Sequence, residues 1–344
     1  MEKKHINRLT VAGAGLALAF AGLFFSARIS PGSSQPNSQC LVVYASERPE
    51  LMEAVVPLFE EKYHIQVHLV LGESTELLKR LHDEKEGDRA DVIMGLSGAE
   101  LTDCEELFQY YVSVNDKYIR EPYQNTEGYA TSYVLNGGCL IVNKTLAGDK
   151  RISSYEDLLN PALKGRITMA DPAASSDGFS QLVNLLEAKG GCEDSQAWEF
   201  AKELLKQTGC IASTSGEVYT SVAKGEYIVG LSHEDACAGL IREGADVKIV
   251  YPKEGSLYSP RVAAISKNAE HMEYAKHFVD FITGKDMQDI FGTLLTSRPV
   301  RQDAKRSQFL EDLARIPVIT EDQEYLRLHK AELEKRFSEI QTEE

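Results

Sequence analysis

The chain lacks a basic block: its 344 residues carry 37 Lys and Arg against 53 Asp and Glu, a formal net charge of -16. That balance excludes docking to nucleic acid or to an anionic membrane surface through a basic face. An anionic ligand must therefore be held by local donors and not by the field of the whole molecule. Low-complexity tracts are also missing, and 43 % hydrophobic residues suffice for two domains with cores of their own. The six cysteines, Cys40, Cys104, Cys139, Cys192, Cys210 and Cys237, include no CxxC pair and no His-rich neighbour, so no metal site is expected. A nucleophile elbow, an HExxH motif, a Walker loop and a GxGxxG after a strand are all absent, which argues against an enzyme and against a resident cofactor.

What is present begins with Lys3, Lys4 and Arg8 ahead of an apolar run from Leu9 to Phe25, the order of an export signal. Phe25, Ser26, Ala27 and Arg28 make a poor cleavage site, so residues 1–27 are read as a signal peptide or a signal anchor. Residues 28–39, with Pro, Ser, Gln and Asn, read as a flexible tether. Asn37, Ser38 and Gln39 before Cys40 do not make a lipobox. The expected location is extracytoplasmic, periplasm or cell surface, with membrane anchoring left open. Disulfides are permitted there, and local spacing favours Cys192 with Cys210.

Further along, a strand at Leu41 to Tyr44 precedes a helix with Leu51, Ala54, Val55, Leu58 and Phe59 on one face, in which Pro57 predicts a kink or an early end. Strands at Val67 to Leu71 and Asp91 to Met94 complete a strand–helix alternation that predicts a parallel sheet with covered faces. Gly137 and Gly138 break the apolar run from Tyr133 to Lys144, and a second α/β segment follows, with strands at Ile167 to Ala170, Tyr227 to Leu231 and Val247 to Tyr251. The strand Val262 to Ile265 and a helix burying Met272, Ala275, Val279 and Ile282 read as a return to the first half. The resulting division is 40–132 and 258–320 for one lobe, 133–257 for the other, and a C-terminal helix in 321–344 with Leu326, Leu333 and Phe337 as its apolar positions. Two crossings between lobes make a hinge, and a cleft between lobes is where ligands bind.

These residues resemble a known family in the order of their motifs. Val43-Tyr44-Ala45-Ser46, Ala90-Asp91-Val92-Ile93, Ser154-Tyr155-Glu156-Asp157-Leu158, Leu163-Lys164-Gly165-Arg166-Ile167, Asp171-Pro172-Ala173, Gly225 to Leu231, Tyr251 to Gly255 and Ser297-Arg298-Pro299-Val300-Arg301 are similar to the type II periplasmic binding proteins. The branch is the one that includes ferric-ion, phosphonate and sugar-phosphate binders, and the resemblance covers most of residues 41–340. It implies an α/β fold of two lobes, each a mostly parallel sheet flanked by helices, with the ligand cleft at the hinge. It also implies a small anionic solute and an ABC permease as partners, and a ligand held by hinge closure without covalent chemistry. A sensor-kinase ectodomain is an alternative partner if the N-terminal segment is retained.

Ferric binders of this branch carry adjacent tyrosines after the equivalent of Gly230-Leu231, phenolates being good ligands for a hard trivalent cation. Here that place holds Ser232-His233-Glu234-Asp235, which puts iron second. The pair Tyr110-Tyr111 lies before the polar stretch 115–120, does not match the ligand-bearing turn, and reads as packing.

Loops at the carboxyl ends of parallel strands face such a cleft, and each loop that opens a helix presents free backbone N–H groups. Five turns fit: Ser46; Gly72 with Ser74 and Thr75; Ser97 with Gly98; Ser175, Ser176 and Gly178; Ser213, Thr214 and Ser215. Each alone also reads as an ordinary helix cap, and Thr214 with Glu217 has capping-box spacing. Together they suit a phosphate or phosphonate group. His233, Glu234 and Asp235 suit sugar hydroxyls, the carboxylates as acceptors and the imidazole as either, and sugar-phosphate members of the branch are similar in placing a His and acid cluster there. The other reading of that trio is a helix start enriched in acid for dipole reasons.

Overall fold

The computed structural model describes residues 40–83 and 89–342; the expected signal and tether lie outside them. The first strands, β1 (Cys40–Ala45), β2 (Gln66–Leu71) and β3 (Val92–Leu96), alternate with α1 (Pro49–Tyr63) and α2 (Ser74–Asp83), and a short α3 (Gly98–Thr102) follows. β2 and β3 flank β1, both parallel to it, the geometry that helical crossovers impose. α1 runs on through Pro57, so the expected early end does not occur. Pro57 lies on the solvent face, and so does Glu53, whose carbonyl loses its donor and is left to water.

Next come β4 (Thr131–Asn143), α4 (Lys144–Ala147), β5 (Ile167–Ala170), α5 (Ser176–Ala188), α6 (Ser195–Gln207), β6 (Thr208–Ala212), α7 (Ser215–Ala223), β7 (Val229–His233), α8 (Glu234–Arg242) and β8 (Val247–Val250). The chain ends with β9 (Ser256–Ile265), α9 (Met272–Ile282), α10 (Lys285–Thr293), β10 (Arg298–Pro299), β11 (Val318–Ile319) and α11 (Gln323–Thr342). β6, which contains Gly209 and a free cysteine, escapes the sequence reading because it has neither a period nor a β-branched run.

β4 builds the two-lobed shape. Its first half pairs antiparallel with β9 and its second half, from Gly138, pairs antiparallel with β7 and β8. β9 in turn pairs antiparallel with β3, while β5 lies parallel to both β6 and β7. Gly137 and Gly138 therefore do not break the run; they let one strand of 13 residues pass from one sheet to the other. A Cβ on Gly137 would lie 2.2 Å from the Tyr258 ring, and one on Gly138 would lie 2.7 Å from Asn184 Oδ1. Only glycine admits both neighbours.

Each sheet has its own core. Leu41, Val43, Leu51, Val55 and Phe59 pack with Phe278, Phe281 and Ile282 of α9 in one cluster. Leu140, Ile167, Leu182, Leu186, Trp198, Leu204 and Leu231 form the other, and α11 buries Leu326, Leu333 and Phe337 in it. Full burial of such side chains contributes about 1.5–3 kcal/mol each. The expected Cys192–Cys210 bridge is not formed, and no two cysteines are bonded in this structure. Cys192 packs in the core with Trp198, whereas Cys210 sits on β6 opposite Thr168.

Candidate functional site

The strand–helix alternation delivers several helix starts to one cavity. β1 runs into Ser46, Glu47 and Arg48, and Arg48 is the N-cap of α1. Gly72 and Glu73 follow β2 and open α2. From the other lobe come Ser176 and Asp177 in the first turn of α5, Ser215 and Tyr219 of α7, and Ser232, His233, Asp235 and Ala236 around the β7–α8 junction. Val134, Leu135 and Asn136 of β4, Arg261 of β9, Leu51 and Ser297 complete the lining of a cavity of about 300 Å³. That volume is at the small end of the range for small-molecule sites. The helix starts supply free N–H groups and partial positive charge to the space between the lobes.

Charged side chains are paired across this space. Arg48 Nη2 lies 3.0 Å from Asp235 Oδ2, and Asp235 raises the Arg48 pKa more than burial lowers it. Arg261 reaches Asp177 at 3.6 Å and Glu47 at 3.9 Å and donates to the Gly95 carbonyl at 2.9 Å. Glu47 also accepts a hydrogen bond from the Tyr133 hydroxyl. Burial alone pushes the Asp177 pKa up, but His233, Arg261, the Ser215 hydroxyl at 2.8 Å and Arg48 outweigh it and hold the carboxyl below its ordinary value. Four carboxylates, Glu47, Glu73, Asp177 and Asp235, thus face two guanidiniums, Arg48 and Arg261. Two further atoms have no hydrogen-bond partner: His233 Nε2 and Ser232 Oγ are buried and unbonded, and both residues belong to the cavity lining. Buried polar atoms of this kind cost roughly 1–3 kcal/mol until something bonds them.

Of the residues proposed from sequence, Ser46, Gly72, Ser176, Ser215, His233 and Asp235 line the cavity. The others lie elsewhere for identifiable reasons. Ser74 donates to Glu100 at 2.5 Å, and Thr75 is exposed on α2 outside the lining. Ser97 forms a capping box with Glu100 at the start of α3, and Ser97 and Gly98 line a separate depression. Ser175 caps α5 by accepting from the Gly178 N–H at 3.2 Å. Gly178 is held against the Asp171 carbonyl, 2.6 Å from where a Cβ would stand. Thr214 caps α7 through the Glu217 N–H, and the Ser213 N–H donates to the Glu217 carboxylate. For Ser97, Ser175 and Thr214 the capping role accounts for the hydroxyl.

Glu234 is the proposed residue set furthest apart from the cavity chemistry. It is fully buried and points away from the cavity, accepting from Arg298 Nε at 2.5 Å and Nη2 at 2.8 Å, from Tyr251 at 2.7 Å and from Tyr258 at 3.0 Å. Its oxygens are fully engaged within the fold. The pair Tyr110-Tyr111 also lies outside the cavity: Tyr110 is 72 % exposed, and the Tyr111 hydroxyl donates to Asp280 at 2.8 Å.

Sequence reasoning missed Glu47, Arg48, Glu73, Asp177, Tyr219, Ser232, Arg261 and Ser297. Asp177 and Ser232 stand beside residues that were singled out. Arg261 had a signal of its own, a lone charge in an apolar strand where a half-buried arginine gains from acidic partners.

A family model described as bacterial extracellular solute-binding protein matches residues 99–327, well over half of the chain. The iron uptake protein A1 of Synechocystis sp. is 27 % identical over 276 residues, covering 75 % of this chain and 74 % of that protein. Two solved structures share the fold. The periplasmic binding protein AfuA from Actinobacillus pleuropneumoniae, with exogenous fructose-6-phosphate bound, is 24 % identical, with a TM-score of 0.75 over 88 % of this chain and 98 % of that one. A two-component system protein that mediates signal transduction is 28 % identical, with a TM-score of 0.71 over 83 % and 95 %.

Proposed function

Because the chain belongs to the bacterial extracellular solute-binding proteins, we propose that it captures a small phosphorylated solute by lobe closure, a sugar phosphate by preference and a phosphonate next. Its family binds small solutes and partners an ABC permease, outside the cytoplasm.

The observation that carries this reading is that one cavity lining offers both donors for an oxyanion and acceptors for hydroxyls. Arg48, Arg261, the hydroxyls of Ser46 and Ser176 and the helix starts around them are donors for an oxyanion. Asp235, Glu47 and Glu73 are acceptors, and His233 Nε2 and Ser232 Oγ are unsatisfied. A ligand that is anionic throughout meets two excess carboxylates. One with a phosphoryl group at one end and hydroxyl donors at the other meets a partner at both.

Capture then proceeds by exchange. Arg48 and Asp235 join the two lobes. The phosphoryl group replaces Asp235 as the partner of Arg48, and the freed carboxylate accepts from ligand hydroxyls. One charge-assisted contact becomes two, each tying the ligand to a different lobe, so binding favours the closed form.

Ferric ion is the competing ligand, since one relative is an iron uptake protein. Against it, Tyr219 is the one phenol in the cavity lining, and among the described residues no group of three His, Cys, Asp or Glu side chains could hold a metal ion. A second role, presentation of the closed form to a sensor kinase, is favoured by the identity to the two-component protein and is tested by whether residues 1–27 stay on the mature chain.

A thermal-shift screen of hexose phosphates, 2-aminoethylphosphonate and ferric citrate separates the ligand classes. A ligand at about 100 times its dissociation constant adds about 2.7 kcal/mol to the folded state. The hexose phosphates are expected to raise the Tm most; a shift with ferric citrate alone rejects the reading.

A further inference from the structure

Cys139 and Cys237 have no part in the cleft. Cys139 is on β4 immediately after the glycine pair, and Cys237 is in α8 two residues beyond Asp235. Their sulfurs lie 3.8 Å apart, in van der Waals contact, and both residues are 0 % exposed. They share a small apolar cluster with Ile141, Val222 and Val247. In sequence they stand 98 residues apart, so the contact is made by the fold and not by local spacing. Outside the cytoplasm, where this family works, adjacent thiols are exposed to disulfide-forming chemistry while the chain is still folding.

We infer that Cys139 and Cys237 are joined by a disulfide in the exported protein. The bond forms before the cluster closes, because neither sulfur is reachable afterwards. A thiolate of the pair attacks the disulfide of an exported thiol oxidoreductase or of oxidised glutathione and forms a mixed disulfide. The second thiolate then displaces the carrier's sulfur. The two cysteines lose two protons and two electrons, and the carrier leaves as its reduced thiol. Bonding requires the sulfurs to close from 3.8 Å to the covalent separation of about 2.05 Å.

The crosslink fastens the first turn of α8, which carries Asp235, to the part of β4 that belongs to the same sheet. The β4–β9 crossing is untouched, so the lobes remain free to close. Burial and the neighbouring thiol push the Cys139 pKa well up, which keeps any unjoined pair inert once the fold has formed.

The test uses the full chain exported to an oxidising compartment, purified without reductant, denatured in N-ethylmaleimide and digested. A peptide linking Cys139 to Cys237 is expected, released by dithiothreitol. In a parallel melt, dithiothreitol is expected to lower the Tm of the wild type by several degrees and to leave the Cys139→Ala/Cys237→Ala double variant unmoved. Recovery of both cysteines as maleimide adducts without prior reduction overturns the inference. So does a reduction-dependent fall in Tm that persists in the double variant, because it assigns the bridge to another pair.

Discussion

Glu234 and Asp235 are consecutive carboxylates at the start of one helix, and each faces an arginine from a distant part of the chain. Glu234 is fully buried in a bidentate pair with Arg298, with two tyrosine hydroxyls on the same carboxylate. Asp235 is part-exposed and holds Arg48 through one contact, with 23 % and 42 % of the two side chains accessible. The difference is one of solvent. A charge pair out of water cannot exchange partners without stranding a charge, whereas a pair at the water's edge is worth little alone and can be traded for a ligand. Successive residues on a helix point about 100° apart, so adjacent acids in one sequence motif can serve a fixed core and an exchangeable site.

The largest effect is expected at the buried pair. Glu234→Gln strands Arg298 in the core and should destabilise the protein by about 3–5 kcal/mol in urea titration. Arg298→Met should do the same, and the two together should lose less than the sum. Wild-type stability in either single variant would mean that the buried pair is no more committed than the open one.

Asp235→Ala should show the reverse profile. Its stability should stay within about 1 kcal/mol of wild type, while the Kd for a hexose phosphate rises roughly 100-fold or more by calorimetry. Unchanged affinity would reduce Asp235 to a helix-dipole acid. Arg48→Ala is the next smaller effect: a loss of roughly 10-fold for the phosphorylated sugar, shrinking as salt rises because the contact is near solvent. An equal loss at all salt concentrations would argue against Arg48 as a phosphoryl partner.

The smallest effect is on pH dependence. The folded-state pKa of Asp177 is depressed, so its stabilising contribution is present above the unfolded value near 3.9 and disappears as pH falls through the lower folded value. Asp177→Asn should therefore flatten the decline of Tm below about pH 4 and leave its slope near neutrality unchanged. A wild-type acid limb in the variant contradicts the assignment of His233 and Arg261 as its partners.

How much of this was legible in the sequence follows from the range of each cause. The first three strands and α1 were read from local periodicity, and Ser46, Gly72, Ser176 and Ser215 from their place between strand and helix. Which serines merely cap was not legible, because a cap and a ligand turn use the same residues at the same spacing. The burial of Glu234 was not legible, because it depends on β10 bringing Arg298 to it from 64 residues away. Arg261 was missed for a similar reason: its partners Glu47 and Asp177 belong to other elements, and only the β4–β9 crossing unites them. Gly137 and Gly138 looked like an interruption because the demand on them comes from Tyr258 and Asn184, which local sequence does not reveal.

The most direct test of a cleft with two chemistries is calorimetric titration of the wild-type chain with one hexose phosphate, the free hexose and inorganic phosphate under identical conditions. Tight binding of the ester, with at most feeble heats from either half, is the expected result. Inorganic phosphate binding as tightly as the ester, or no heat from any of the three, contradicts it.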